Sequence, residues 1–319
     1  MLNQVGALAV SQGATPLAPL RVVVFVHGIY SKSSLAFPEM YTAIEPIRTC
    51  ALYDYDFHDS LVANGRRLAQ ALSSLNGICE VTLVCHSMGG LVGRLAILRG
   101  NVSCVKRLFM IGTPNFGALR TAQLGLASQL MLGASGVVYG LFRKPGLADL
   151  TRVSRIFREP VEKGAQYADP VEYITIPGEF FHDSRKFFDL GPWRELNSWK
   201  PSFGALSFGS EVLSATVPFW KVGLERPHDG IVERRSNTLL DPGSGRSSEK
   251  DLCILHPDRV ESTYAHIRHA AVEGLTHVEI QHNADIVAMV KQIIEAPSLE
   301  AWEASLDTAA LRKIKVTRA

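Results

Sequence analysis

Neither sign of charge dominates this sequence: 33 lysines and arginines face 31 aspartates and glutamates, for a formal net charge of +2. A dedicated nucleic-acid binder draws its affinity from clustered positive charge, so nucleic acid is excluded as an expected partner. Cysteine is scarce, with five residues at irregular spacings: Cys50, Cys79, Cys85, Cys104 and Cys253. An odd, irregular set suits neither a disulfide framework nor a zinc ribbon. Reduced core thiols in a reducing compartment are expected instead. No internal repeat is visible, which excludes solenoid and collagen architectures. No glycine-rich phosphate loop of the dinucleotide or P-loop type occurs, and no cofactor is expected. Residues 1–20 lack a basic start followed by a long apolar run. No secretory signal is therefore expected, and the reading is a cytoplasmic protein.

Long uncharged runs are also rare. The one of note is Thr121 to Phe142, bounded by Arg120 and by Arg143-Lys144. It reaches the length of a membrane span. Gly125, Gly133, Gly136 and Gly140, with Gln123, Ser128, Gln129 and Ser135, dilute its apolar character. A buried helix or an apolar cap is the expectation.

What is present is a globular composition, 46% hydrophobic and 20% charged over 319 residues. Arg21 to Val26 is a nearly continuous β-branched run, as expected for a strand buried on both faces. Val81 to Cys85 and Arg107 to Ile111 are two more. Between them lie helical patterns, with Leu61, Leu68, Ala71 and Leu72 on one face of 60–75, and Leu91, Val92, Leu95 and Leu98 in 90–98. Alternating strands and helices predict an α/β fold with a mainly parallel sheet. Further strands are expected at Val171 to Ile176 and Phe203 to Phe208, and a surface loop at 241–250. Asn283 is expected to cap an amphipathic helix bearing Ile286, Val287, Met289, Val290, Ile293 and Ile294. Lys313, Lys315 and Arg318 are read as a solvated terminus.

The chemistry concentrates in Val81-Thr-Leu-Val-Cys85-His86-Ser87-Met88-Gly89-Gly90. A predicted strand runs into a serine and a helix begins at once behind it. Such a turn strains the serine backbone and projects its hydroxyl at the carboxyl edge of the sheet. The helix N-terminus behind it favours developing negative charge. The competing reading is an ordinary strand-to-helix turn with a capping serine. A second signal is the His27-Gly28-Ile29-Tyr30 segment directly after the first strand.

The elbow resembles that of the α/β-hydrolase superfamily, in its lipase and esterase branch. Cys85 stands where the usual G-x-S-x-G pattern has its first glycine, while Ser87 and Gly89 match. The resemblance implies Ser87 as nucleophile, with the backbone N–H groups of Ile29 and Met88 as oxyanion donors. It also implies the chain order serine, acid, histidine. Pro227-His-Asp229-Gly-Ile-Val232 resembles the acid loop and points to Asp229, with Glu211 as rival. Gly274-Leu-Thr-His277-Val-Glu-Ile280 resembles the histidine loop and points to His277, with His282 second. Segments such as Gly112-Thr-Pro-Asn-Phe-Gly117 and Asp189 to Asn197 extend the resemblance. A metal site is not expected: His266 with His269, or His277 with His282, lack further ligands at suitable spacing.

The expectation is thus one α/β-hydrolase domain over 1–319 with a cap inserted at 118–185. Its substrate would be a lipid or other acyl ester, and its apolar cap would allow transient contact with a lipid interface. A phospholipase or other membrane-lipid acyl hydrolase is the alternative within enzymes. A noncatalytic binding protein of the same fold is the alternative from another class.

Overall fold

The computed structural model describes residues 19–29, 31–115, 117, 145–150, 153, 156–157, 171–176, 178–179, 232, 236, 267–273, 277, 280–305 and 315–318. The first strand, β1 (Leu20–Val26), is the β-branched run, and β2 (Thr49–Tyr53) pairs parallel to it. On its other side β1 pairs with β3 (Cys79–His86), which in turn pairs with β4 (Val105–Ile111). The sheet continues through β5 (Glu172–Ile176) to β7 (Ile267–Glu273), all parallel, with the short β6 (Gly178–Glu179) beyond. The order is β2-β1-β3-β4-β5-β7-β6, and β8 (Lys315–Arg318) lies antiparallel to β7.

Alternation along each strand divides the core into two layers. Val22, Val24 and Val26 of β1 join Val81, Leu83 and Cys85 of β3 on one face. There they pack against helix α3 (Leu61–Ser73) and helix α4 (Met88–Arg99). Val23, Phe25 and Val84 face the other way. They meet helices α1 (Ser33–Ala36), α2 (Pro38–Ile44) and α6 (Ala284–Glu295), with α7 (Leu299–Ser305) beside them. Burial of each such valine or leucine contributes roughly 1.5–3 kcal/mol. The sequence pattern marks one apolar face on α4, but every residue from Met88 to Leu98 is buried, because the sheet lies beneath it and α3 beside it.

Caps follow the expected chemistry. Ser60 Oγ accepts from Ala63 N–H at the start of α3, and Asn283 Oδ1 accepts from Asp285 and Ile286 N–H at the start of α6. Near the start of β4, Arg107 pairs with Glu172 and donates to the carbonyls of Ile293 and Ala296, tying the end of α6 to β4.

Not every sequence expectation holds. His269 lies in strand β7, and His266 lies outside the described residues. Residues 315–318, read as a solvated tail, form an edge strand, because β7 offers them a hydrogen-bonding partner. The strand expected at 171–176 is present as β5, and it lies within the 118–185 stretch. Part of the same stretch is a short helix α5 (Pro145–Asp149), whose Asp149 carboxylate accepts from Leu61 N–H. The uncharged run 121–142, the expected strand at 203–208 and the loop at 241–250 lie outside the described residues. Among the described residues no helix is long and apolar enough to cross a membrane.

Candidate active site

The register brings the carboxyl ends of four strands to one edge: Val26 pairs with Cys85, His86 with Ile111, and Ile111 with Ile176. Ile29 lies just past β1, and Ser87 and Met88 just past β3. In open α/β sheets this edge is where ligands bind.

Ser87 leaves β3 with φ 53° and ψ −126°. It is the one non-glycine residue with positive φ among the described residues. Its N–H is held by the Ile111 carbonyl at 2.8 Å, and its own carbonyl accepts from Gly90 N–H at 3.0 Å. Both bonds resist relaxation of a conformation that costs about 1–3 kcal/mol. Ser87 stands at the N-cap position of α4, yet its hydroxyl makes no capping bond. That removes the reading of an ordinary capping serine.

The elbow fits because its neighbours lack side chains. A Cβ on Gly89 would lie against the carbonyl oxygens of Val26 and His27. Backbone on both sides leaves nothing flexible to move, so Gly89→Ala is expected to lower stability by ~1–3 kcal/mol in urea unfolding. A Cβ on Gly28 would stand 2.8 Å from Ser87 Cβ, so the loop after β1 lies directly against Ser87.

His277 comes soon after β7 in the chain and is buried, as is Ser87. Its Nε2 lies 2.9 Å from Ser87 Oγ, placed to accept the hydroxyl proton. The structure thus joins two predicted residues 190 positions apart. Next to them His86 is also buried, with Nε2 2.9 Å from the His277 carbonyl.

The loop bearing Ile29 is braced by His27. His27 Nε2 accepts from Tyr55 N–H at 3.2 Å, so its proton sits on Nδ1, which donates to the Gly28 carbonyl at 2.6 Å. Burial lowers the His27 pKa, against the opposing effects of these bonds and of Asp54, and keeps the ring neutral. The Tyr55 ring stacks on it at 4.4 Å, and its hydroxyl donates to the His27 carbonyl at 2.9 Å. His27 is therefore the backbone-bonded core histidine its position suggests. Ile29 is partly buried against the α3/α4 layer. Met88 is the first residue of α4, where a backbone N–H has no intrahelical acceptor.

Cys85, beneath the elbow, is a free thiol, as are Cys50, Cys79 and Cys104. Burial pushes the Cys85 thiol up and raises Cys104 to about 12, so both stay protonated and act as packing groups. His282 pairs with Glu39 at 2.7 Å near the start of α6, which explains its position without a role at Ser87. Asp229 and Glu211 lie outside the described residues. Shortly after Asp229, however, Val232 is buried, Ser236 Oγ donates to the Gly117 carbonyl at 2.6 Å, and the Ser236 carbonyl accepts from Asn115 N–H at 2.7 Å. This anchors the segment behind Asp229 to the loop following β4. Among the described residues no cluster of three or more His, Cys, Asp or Glu could hold a metal ion.

The comparisons agree with this geometry. A family model described as alpha/beta hydrolase matches residues 58–137, which include the elbow. No curated protein sequence gives a significant match. Among solved structures, phospholipase PlaB from Legionella pneumophila is similar at a TM-score of 0.55 and 13% identity, covering 90% of this chain and 62% of that one. The mature form of Bacillus licheniformis lipase BlEst2 is 19% identical, with a TM-score of 0.49, covering 82% of this chain and 86% of that one. The parallel sheet and the strained serine between β3 and α4 give the chain an α/β-hydrolase-type fold, and the family model matches the part of it that holds the elbow.

Proposed function

We propose that this protein is a serine carboxylic-ester hydrolase that works through an acyl-enzyme intermediate. The contact between His277 Nε2 and Ser87 Oγ, made by a serine that caps nothing, carries the reading. Ser87 attacks the acyl carbonyl while His277 takes its proton. Asp229 orients His277 and stabilises the imidazolium. The N–H groups of Ile29 and Met88 receive the charge that develops on the carbonyl oxygen; removing one such donor typically raises the barrier by ~3 kcal/mol. His277 then protonates the departing alcohol. Water attacks the acyl-serine by the reverse steps and releases the acid. This sequence needs no metal or organic cofactor.

The substrate class favoured is a fatty-acyl ester, phospholipids included. The uncharged run Thr121 to Phe142 supplies leucine, valine and aromatic side chains suited to an acyl chain or a lipid interface. Hydrolysis of p-nitrophenyl esters from about two to sixteen carbons, alongside Ser87→Ala, tests both levels. Activity that peaks at long chains and vanishes in the variant is the expected result. A peak at short chains would keep the serine chemistry and remove the lipid preference. No hydrolysis and no fluorophosphonate label on Ser87 would favour a noncatalytic binding protein.

A further inference from the structure

We propose that His86 is a positioning residue for this reaction: the N–H it donates to the His277 carbonyl holds the loop bearing the base against the nucleophile elbow. The inference rests on the reading of Ser87 and His277 given above.

A carbonyl oxygen can only accept, so the 2.9 Å contact between His86 Nε2 and the His277 carbonyl places the His86 proton on Nε2. The two rings are also neighbours, with centroids 4.9 Å apart and planes at 46°. On its other side the His86 ring reaches the loop after β1, where Nδ1 lies 3.1 Å from the site of a Cβ on Gly28. One buried imidazole at the elbow therefore bonds to the His277 loop and lies beside the Gly28 loop. His86 itself is fixed, since it is the last residue of β3 and pairs in register with Ile111.

The consequence follows from covalent geometry. Two side-chain torsions separate the His277 backbone from its Nε2. Once the His277 carbonyl is held, those torsions and the single backbone torsion between carbonyl and Cα set the 2.9 Å approach to Ser87 Oγ. A displacement of about 1 Å at such a contact can cost ~100-fold in rate. A ring bonded through its edge resists that displacement better than packing would, because the hydrogen bond is directional.

The test compares His86→Phe, which keeps the volume without a donor, with His86→Gln, whose amide N–H can reach the same carbonyl. Wild type and His277→Ala serve as references. All are assayed on the best p-nitrophenyl ester, with thermal midpoints measured in parallel. His86→Phe is expected to lower kcat by ~10–100-fold with KM changed less than ~3-fold, and His86→Gln to recover most of the loss. If His86→Phe is recovered unfolded, His86→Asn, too short to reach the carbonyl, takes its place with the same expected loss. Wild-type kcat in the donorless variant overturns the proposal. So does a His86→Gln variant as impaired as His86→Phe, which would mean a packing role alone. The underlying reading fails separately: if His277→Ala keeps full activity, His277 is not the base, and the proposal falls with it. If His277→Ala is inactive while His86→Phe is normal, only the role of His86 is lost.

Discussion

Replacing His277 with alanine is expected to lower kcat on acyl esters by ~10⁴–10⁶-fold while leaving KM nearly unchanged. A serine hydroxyl is a weak nucleophile until a base takes its proton in the transition state. The proposed base is in place before substrate arrives, with its Nε2 2.9 Å from Ser87 Oγ. Both groups are buried, Ser87 at 6% and His277 at 5% exposure, so bulk water has little access to substitute as base. Ser87→Ala is expected to cost as much, and the double variant no more than either single one, because the two residues act as a unit. The residual rate would come from the oxyanion donors and substrate binding. Steady-state kinetics on the three variants, with fluorophosphonate labelling of His277→Ala, measure this directly. Additive losses in the double variant, or rapid labelling without His277, would show that another group activates Ser87.

The parts of this arrangement legible in the sequence are those set by local chemistry. Strands β1, β3 and β4 are buried on both faces, so their apolar runs are nearly continuous and stand out. The elbow is legible because its small residues follow a strand directly. Gly89 lies against two carbonyls of β1 and the loop after it, and no side chain would fit there. Strand β7 was illegible for the opposite reason. Ile-Arg-His-Ala-Ala-Val-Glu carries no clear period, and its pairing with β5 decides its state. The short β2 has the same dependence, since its Thr-Cys-Ala-Leu-Tyr pattern becomes a strand only beside β1.

His86 illustrates a different limit. Its residue type and place beside Ser87 are plain in the sequence, but its hydrogen-bond partner lies 191 positions away. Nothing local distinguishes a histidine that braces the base loop from one that merely fills space. The same holds for His27, whose bonds to Tyr55 and Gly28 define its tautomer only once β1 and the segment after β2 are side by side. His277 stands out in the sequence because it precedes a well-marked helix, whose asparagine cap and apolar stripe fix the boundary.

The acid is expected to be resolved by amide substitution. Asp229→Asn is expected to lower kcat by ~10⁴-fold, and Glu211→Gln by less than ~3-fold. The asparagine keeps the size and shape of the side chain, so the fold should persist. What it changes is the partner offered to His277. A carboxylate accepts from Nδ1–H and leaves Nε2 to accept from the serine, whereas an amide N–H directed at Nδ1 favours the wrong tautomer. It also removes the negative charge that stabilises the imidazolium. Three observations support Asp229: its position between Ser87 and His277 in the chain, the buried Val232 that follows it, and the bonds tying Ser236 to Gly117 and Asn115. That anchorage starts from the loop after β4, whose Ile111 carbonyl also holds the Ser87 N–H. A large loss in Glu211→Gln with a normal Asp229→Asn would transfer the role to Glu211. Small losses in both, with His277→Ala still inactive, would mean that His277 is oriented by its backbone contacts alone, with the His86 bond foremost among them.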